Sequence, residues 1–152
     1  MKAISLWQPW ATLVALKLKT IETRTHDRFK SLRGERIAFQ AAMKFDIDNY
    51  WRIFEMLISK HMTETQALGV INSSRMFAGK ILCTATVLNA RWVHKSDGDM
   101  QEDWKKQALC EVAGKYCLFL GDIKILKKPI PYKGRQGIFN VPDEVINVGS
   151  GL

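Results

Sequence analysis

The pattern of apolar and polar residues is most informative over residues 6–24, which read LWQPWATLVALKLKTIETR. Residues 3–7 alternate as in a strand, and Pro9 suits the first turn of a helix because its missing N–H is not needed there. Apolar residues then follow helical spacing over 10–18, which predicts a short helix with Trp10 in the core. The pattern therefore predicts a strand, a tight turn and an apolar helix with polar groups at both ends.

A second strand is predicted over residues 20–25, directly after this helix. Alternate side chains of a strand share a face, so Glu22 and Arg24 are expected side by side, with Ile21 in the core. Lys19 stands just before them, where the helix ends. We therefore expect Lys19, Glu22 and Arg24 to lie close together at one end of the helix.

The chemistry of these three side chains leaves several roles open. Lys19 is a candidate nucleophile or base, a phosphate contact, or only a cap of the helix. Glu22 is a candidate proton donor and acceptor, or an acceptor for the edge of a nucleobase. Arg24 can donate two hydrogen bonds to a phosphate, or can simply pair with Glu22.

Further candidates come from the turn before the helix and from a loop near the end of the chain. Trp7 offers a surface on which a base can stack, and Gln8 offers both a donor and an acceptor. The loop YKGRQG contains Lys133, Arg135 and Gln136, and its glycines allow a close approach to a phosphate. The alternative for this loop is a solvated hairpin tip.

The rest of the sequence predicts strands and helices interspersed within one domain, residues 1–152. A helix capped by Asp46 or Asp48 is expected to run to about residue 61, and another to cover 102–113. Pro129 and Pro131 are expected to stop strand pairing. Strands are predicted over residues 35–40, 79–93, 116–126 and 138–141. The count of five or six strands with three or four helices predicts an α+β fold around a compact, partly closed β-barrel with peripheral helices.

The net charge of the chain favours some classes of binding partner over others. Lys and Arg number 23 against 15 Asp and Glu, a net charge of +8. The first 40 residues hold eight cations and three anions, so the excess is densest around the predicted site. A basic surface beside aromatic residues fits RNA or a nucleotide, with DNA as an alternative polyanion. Solubility alone is the competing explanation of this charge.

Other classes of protein are disfavoured. No apolar run approaches the roughly 20 residues that span a bilayer, and the N-terminus does not resemble a signal peptide. The three cysteines lack metal-ligand spacing, so we expect no metal site or cofactor and reduced thiols in a cytoplasmic protein. No Ser–His–Asp or Cys–His arrangement can be assembled from the sequence.

Residues 6–24 resemble the opening of ASCH domains, the activating-signal-cointegrator homology family. The family signature is roughly Gly-x-Lys-x-x-Glu-x-Arg, which Lys19, Glu22 and Arg24 match, while Lys17 stands in place of the Gly. Further similar pieces lie in order along residues 4–141: Arg33-Gly34 before a strand, IAFQAA at 37–42, AGKILCTATV at 78–87 and PIPYKGRQGIFNV at 129–141.

The resemblance implies a PUA-like barrel with a cleft that binds RNA, a nucleotide or a modified nucleoside. Some bacterial members are amidohydrolases that act on N4-acetylcytidine with a Lys, a Thr three positions later and a later Glu. Lys19 matches this Lys, Glu22 stands in the place of the Thr, and Glu102 and Glu111 are candidates for the later Glu. Gln40 stands where relatives often have a His.

Three functions therefore stay open from the sequence. The first is an RNA- or nucleotide-binding domain linked to RNA metabolism. The second is a hydrolase, an amidohydrolase or a ribonuclease, that uses Lys19 and Glu22. The third is a protein-interaction adaptor, which would need an exposed apolar patch.

Overall fold

A computed structural model describes residues 1–152 and shows one six-stranded sheet. Strand β1 pairs with β3 in parallel, and every other pairing is antiparallel. The order of the strands is β2-β5-β4-β3-β1-β6, and the ladder does not close between β2 and β6. The strands are β1 (Lys2–Gln8), β2 (Ile21–Arg24), β3 (Arg36–Phe45), β4 (Lys80–Trp92), β5 (Tyr116–Pro131) and β6 (Phe139–Asn140).

Five α-helices accompany the sheet, which confirms the predicted mixed α+β class. The predicted count of three or four was too low, because the apolar pattern did not predict the last helix. No helix is both long and apolar enough to cross a membrane. The helices are α1 (Trp10–Ala15), α2 (Tyr50–Ser59), α3 (Glu64–Ser73), α4 (Met100–Ala108) and α5 (Asp143–Ser150).

Two helices end earlier than the apolar pattern predicts. Helix α1 stops before Lys17, whose φ of 62° is left-handed and reverses the chain toward β2. Lys17 therefore adopts the conformation for which a helix stop usually uses glycine. Helix α4 ends at Ala108 because Leu109 is left-handed, with φ 59°, so the predicted extent to residue 113 was wrong.

The longest strand is β5, which runs through both prolines that were expected to stop it. Ile130 and Pro131 pair with Ile81 and Lys80 of β4. Strand β2 covers the other side of β5 only as far as Phe119. The later part of β5 is therefore an edge, where a proline lacks an N–H without removing a bond from the centre of the sheet.

The main apolar core lies against the sheet beside α1. It includes Ile4, Val14, Phe39 and Leu118, which are fully buried. A second cluster joins Leu13 of α1 to buried residues of α2 and α3. Helix α1 is thus held on two sides, which fixes the position of the residues at both of its ends.

Candidate functional site

The turn between β1 and α1 is fixed by a buried hydrogen-bond network around Gln8. Its Nε2 donates to Thr12 Oγ1 and to the Ser74 carbonyl oxygen, both at 2.8 Å, and its Oε1 accepts from the Thr12 N–H at 3.0 Å. The amide of Gln8 is thus committed within the protein, and Gln8 lines neither of the two pockets described below. Gln8 orients the start of α1, and its predicted contact with a ligand has no geometric support.

The segment that follows the C-terminal end of α1 carries a connected ionic group, formed by Lys19, Glu22 and Arg24. Lys19 Nζ lies 3.5 Å from Glu22 Oε1, and Arg24 Nη2 lies 3.1 Å from Glu22 Oε2. Lys19 is 1% exposed and Glu22 is 8% exposed. The carboxylate is therefore shared between two cations, as the strand alternation predicts for Glu22 and Arg24.

The remaining contacts of Lys19 are also complementary to a cation. Its Nζ donates to the carbonyl oxygen of Ala108, the last residue of α4, at 2.6 Å. The same nitrogen lies 4.7 Å from the centre of the Trp10 ring. A carboxylate, a helix-end carbonyl and an aromatic face surround one buried ammonium, so each contact offsets part of the cost of removing it from water.

Arg24, unlike Lys19, has a buried hydrogen-bond donor without a partner. Its guanidinium packs 4.8 Å above the Phe29 ring and contacts the Ser5 carbonyl oxygen at 3.4 Å. Its Nε is buried and has no hydrogen-bond partner. Arg24 is therefore the member of the ionic group with unused hydrogen-bonding capacity.

Trp10 lies at the site as well as against the core, which corrects the prediction that it is only a core residue. Its indole Nε1 donates to Asp46 Oδ2 at 2.8 Å, and Asn49 donates to the same oxygen at 2.9 Å. Asp46 or Asp48 was predicted to cap α2, but the N-cap position of α2 is Asn49, and Asp46 makes no capping bond. Asp46 instead fixes the Trp10 ring beside Lys19.

These residues line a pocket of about 300 Å³, here called the inner pocket. Its wall is mostly polar and includes side chains that no sequence motif had indicated. These side chains come from separate strands, helices and loops, and only the tertiary fold brings them together. The inner pocket is lined by Ser5, Leu6, Trp7, Trp10, Lys19, Glu22, Thr23, Arg24, Asp46, Asn49, Arg52, Cys110 and Lys115.

A larger groove of about 1180 Å³, here called the outer groove, meets the inner pocket. Ser5, Trp7 and Arg24 line both spaces. Trp7 is 46% exposed, and Lys44 Nζ lies 3.9 Å from the centre of its ring. Trp7 thus presents an aromatic surface where the two spaces join.

The predicted loop after β5 forms one wall of the outer groove. Lys133, Arg135 and Gln136 are exposed and line it. Gly134 packs so closely that a Cβ there would lie 2.2 Å from Gln40 Oε1 and 2.4 Å from Ser5 Oγ. The loop thus needs glycine at this point because of a close approach to the sheet.

Gln40 anchors this loop to the floor of the groove. Its Oε1 accepts from Ser5 Oγ at 2.7 Å, and its Nε2 donates to the Tyr132 carbonyl oxygen at 2.9 Å. Gln40 is buried, and both ends of its amide are engaged. Its predicted role as a ligand contact stays a prediction, while its support of the loop is visible.

Of the two candidates for a later Glu, only Glu111 lies near the inner pocket. Its Oε1 is 3.8 Å from Arg52 Nη2, a residue of the pocket wall. Glu111 also pairs with Lys105 at 2.7 Å. Glu102 lines neither space.

The thiols are not arranged as a metal site, and no group of three or more His, Cys, Asp or Glu side chains could hold a metal ion. Burial raises the pKa of Cys83 to about 12. Burial, followed by the neighbouring Cys110, raises the pKa of Cys117 to about 11. Cys110 lies in the pocket wall, with its Sγ 3.5 Å from Thr23 Oγ1.

The geometry defines a class: an α+β protein with a polar pocket built between the end of one helix and the edge of an open sheet. No family model matches the sequence. Among solved structures, the chain is similar to the ASCH protein of Zymomonas mobilis, with 13% identity, a TM-score of 0.55, and coverage of 97% of this chain and 91% of that chain.

Two mutants of that Zymomonas mobilis protein match in the same way. One has 13% identity and a TM-score of 0.59, and the match covers 99% of this chain and 96% of that chain. The other has 12% identity and a TM-score of 0.52, with coverage of 97% and 92%. The chain therefore has the fold of ASCH domains, as the sequence resemblance implied, and at this level of identity the likeness concerns the fold alone.

Proposed function

We propose that residues 1–152 act as one RNA- or nucleotide-binding domain of the ASCH type, and that the inner pocket receives a nucleobase. The observation that carries the proposal is the buried group of Lys19, Glu22 and Arg24 at the wall of a 300 Å³ pocket. Pockets of roughly this volume upward accommodate small ligands. A carboxylate oriented by two cations is a fixed acceptor for the N–H groups of a base edge.

The surroundings of the pocket support a nucleic-acid ligand in particular. Trp7 offers a stacking surface at the junction of the two spaces, and stacking contributes about 1–3 kcal/mol per base. Arg24, Lys133 and Arg135 line the outer groove, where a phosphate backbone would meet positive charge. The excess of cations over the whole chain, a net charge of +8, favours the same class of ligand.

A role in RNA metabolism in the cytoplasm is part of this proposal. The cysteines support the cytoplasmic part, because all three are free and an oxidising compartment favours disulfides.

Binding of short single-stranded RNA at several salt concentrations tests the proposal. We expect affinity to fall steeply with salt, because phosphate contacts release counterions. Arg24→Gln is expected to weaken binding by about tenfold, from the loss of a charge-assisted contact of about 1.5 kcal/mol. Lys124→Gln is the matched control, since Lys124 is an exposed cation outside both spaces. Affinity that is indifferent to salt and to Arg24→Gln would refute the proposal.

A second candidate is a hydrolase, favoured by the placement of Lys19 and Glu22 together at the wall of the inner pocket. In that case Lys19 would attack or deprotonate, and Glu22 would transfer the proton. Turnover of acetylated cytidine and of RNA, followed by chromatography, tests this candidate. Glu22→Gln should abolish turnover, whereas Lys17→Gln, an exposed cation near the pocket but outside it, should not. Absence of turnover in the unmodified protein leaves binding as the function.

A further inference from the structure

The charges of the inner pocket are unevenly paired. Its wall holds four cations and two carboxylates. Lys19 and Arg24 both pair with Glu22. The second carboxylate, Asp46, accepts hydrogen bonds from the neutral groups of Trp10 and Asn49. The other two cations, Arg52 and Lys115, therefore have no carboxylate partner within the pocket wall.

Glu111 is the carboxylate in ion-pair contact with Arg52, and it lies outside the pocket wall. Its Oε1 lies 3.8 Å from Arg52 Nη2, which is a long contact, and 2.7 Å from Lys105 Nζ, which is a short one. Arg52 and Glu111 are both about half exposed. Exposed ion pairs of this kind contribute at most about 1 kcal/mol, so an incoming anion can separate Arg52 from Glu111 at little cost.

The pKa of Glu111 is lowered by the cations near it. The hydrogen bond from Lys105 is the largest cause that lowers the pKa of Glu111, and burial opposes it. The charges of Lys105, Arg52 and Lys115 lower the pKa further. Lys115 has no ion-pair contact of its own, yet it is close enough to act on the same carboxylate. Glu111 is thus in ion-pair contact with Arg52 and Lys105, and the charge of Lys115 also lowers its pKa.

We propose that Arg52 and Lys115 bind a phosphate group of the ligand at the edge of the inner pocket, in exchange for Glu111. This inference rests on the proposed function and deepens it. It identifies the ligand as one that carries a phosphate, such as a nucleotide, because Lys19 and Arg24 are already engaged by Glu22, whereas Arg52 and Lys115 have no carboxylate partner in the pocket wall. In the free protein Glu111 competes with the phosphate for Arg52.

Because Glu111 competes with the phosphate, its substitution should change the affinity for the ligand in the opposite direction to the substitution of a residue that contacts the ligand. Removing its charge should strengthen the binding of a phosphorylated ligand, since Arg52 is then free. Removing the charge of Arg52 or Lys115 should weaken it. We expect each change to alter the affinity for a monophosphate, relative to its parent nucleoside, by about two- to fivefold, the range for exposed charge contacts.

The experiment compares the four ribonucleosides with their 5′- and 3′-monophosphates by calorimetric titration. The variants are Glu111→Gln, Arg52→Gln and Lys115→Gln, and the control is Lys106→Gln, an exposed cation of α4 that lines neither space. The ratio of monophosphate to nucleoside affinity should rise in Glu111→Gln, fall in Arg52→Gln and Lys115→Gln, and stay constant in the control. A short RNA without terminal phosphates distinguishes an internal phosphate from that of a free nucleotide.

Inorganic phosphate, titrated into isotopically labelled protein, tests the anion site without a nucleoside. Saturable shifts at the amides of Arg52 and Lys115, stronger in Glu111→Gln, are expected. The inference is overturned if the affinity ratio ignores all three substitutions, or if Glu111→Gln weakens phosphate binding. If nucleosides bind in a Glu22-dependent way without any preference for the phosphate, only this inference fails. If phosphate binds at Arg52 while no nucleoside or RNA binds, only the proposed function fails.

Discussion

The Glu22→Gln substitution tests whether the ionic group holds this part of the fold together. Glutamine keeps the shape of the side chain but removes the anion between Lys19 and Arg24. Lys19, 1% exposed, then stays buried beside a carbonyl and a ring without a counter-charge. A buried pair that loses one partner destabilises a protein because the remaining charge is not compensated.

The size of the effect follows from the two distances. At an effective dielectric constant of about 20, unit charges 3.5 Å apart attract by about 5 kcal/mol, and a pair 3.1 Å apart by slightly more. The substitution also removes the cost of burying the charge of Glu22, which cancels part of this attraction, and solvent partly screens Arg24. We expect a net loss of about 3 kcal/mol, which lowers the melting temperature by about 6–12 °C for a chain of this length.

Urea unfolding followed by tryptophan fluorescence measures this loss, and Asp122→Asn is the matched control. Asp122 also lies between two cations, at 3.0 Å from Arg36 and 3.7 Å from Lys124, but it is 62% exposed. The control should cost less than about 1 kcal/mol, since solvent screens its pairs. A Glu22→Gln protein as stable as the control would refute the idea that burial makes the Glu22 group structurally important.

Three other changes test separate parts of the fold. Lys17→Gly should stabilise the protein by about 1 kcal/mol in urea unfolding, because Lys17 has a φ of 62° that costs an L-residue energy; a loss of stability would contradict this. Gly134→Ala should displace the loop from Gln40, since its Cβ would lie 2.2 Å from Oε1, and weaken RNA binding; unchanged affinity would contradict this. The pKa values of Cys83 and Cys117 are raised to about 12 and 11 in the folded protein. Stability should therefore fall as pH rises from about 9 toward 11, because only the unfolded thiols then lose protons. A free energy of unfolding that stays constant over this range would contradict the prediction.

The parts of the site that the sequence predicts are those governed by local rules. Strand alternation places Glu22 beside Arg24, and the structure shows the pair at 3.1 Å. The resemblance to a motif with glycine at the position of Lys17 indicates a helix stop there, although the apolar spacing continues to residue 18. Such features depend on residues a few positions apart, so the sequence contains the information that fixes them.

The parts that the sequence does not predict depend on distant contacts. Trp10 fits the apolar face of a helix, and only the arrival of Asp46 from the end of β3 shows that its indole N–H is used at the site. Arg52 and Lys115 come from separate elements and meet the pocket through tertiary packing. The early end of α4 at Leu109 had no glycine or proline to mark it, because a left-handed leucine is a rare stop.

Lys19 belongs to the ionic group that the local sequence predicts, and it also makes a distant contact with α4. Experiments on the site must therefore separate these two roles. Its nitrogen donates to the carbonyl oxygen of Ala108, the last residue of α4, at 2.6 Å. A cation at the carboxyl end of a helix satisfies an unpaired carbonyl and interacts favourably with the helix dipole. Lys19 therefore fixes α4, and with it the following segment, which carries Cys110 and Lys115 to the wall of the inner pocket.

Loss of function in Lys19→Ala would consequently have two explanations, a missing reactive amine or a displaced wall. Hydrogen exchange at the amides of the last turn of α4 separates them, because a displaced wall exposes that turn and a missing amine alone does not. Glu22→Gln provides the complementary case, since it keeps the bond from Lys19 to Ala108 while changing the charge at the pocket. A loss of ligand binding in Glu22→Gln with α4 still protected would assign the effect to the chemistry of the pocket and not to its construction.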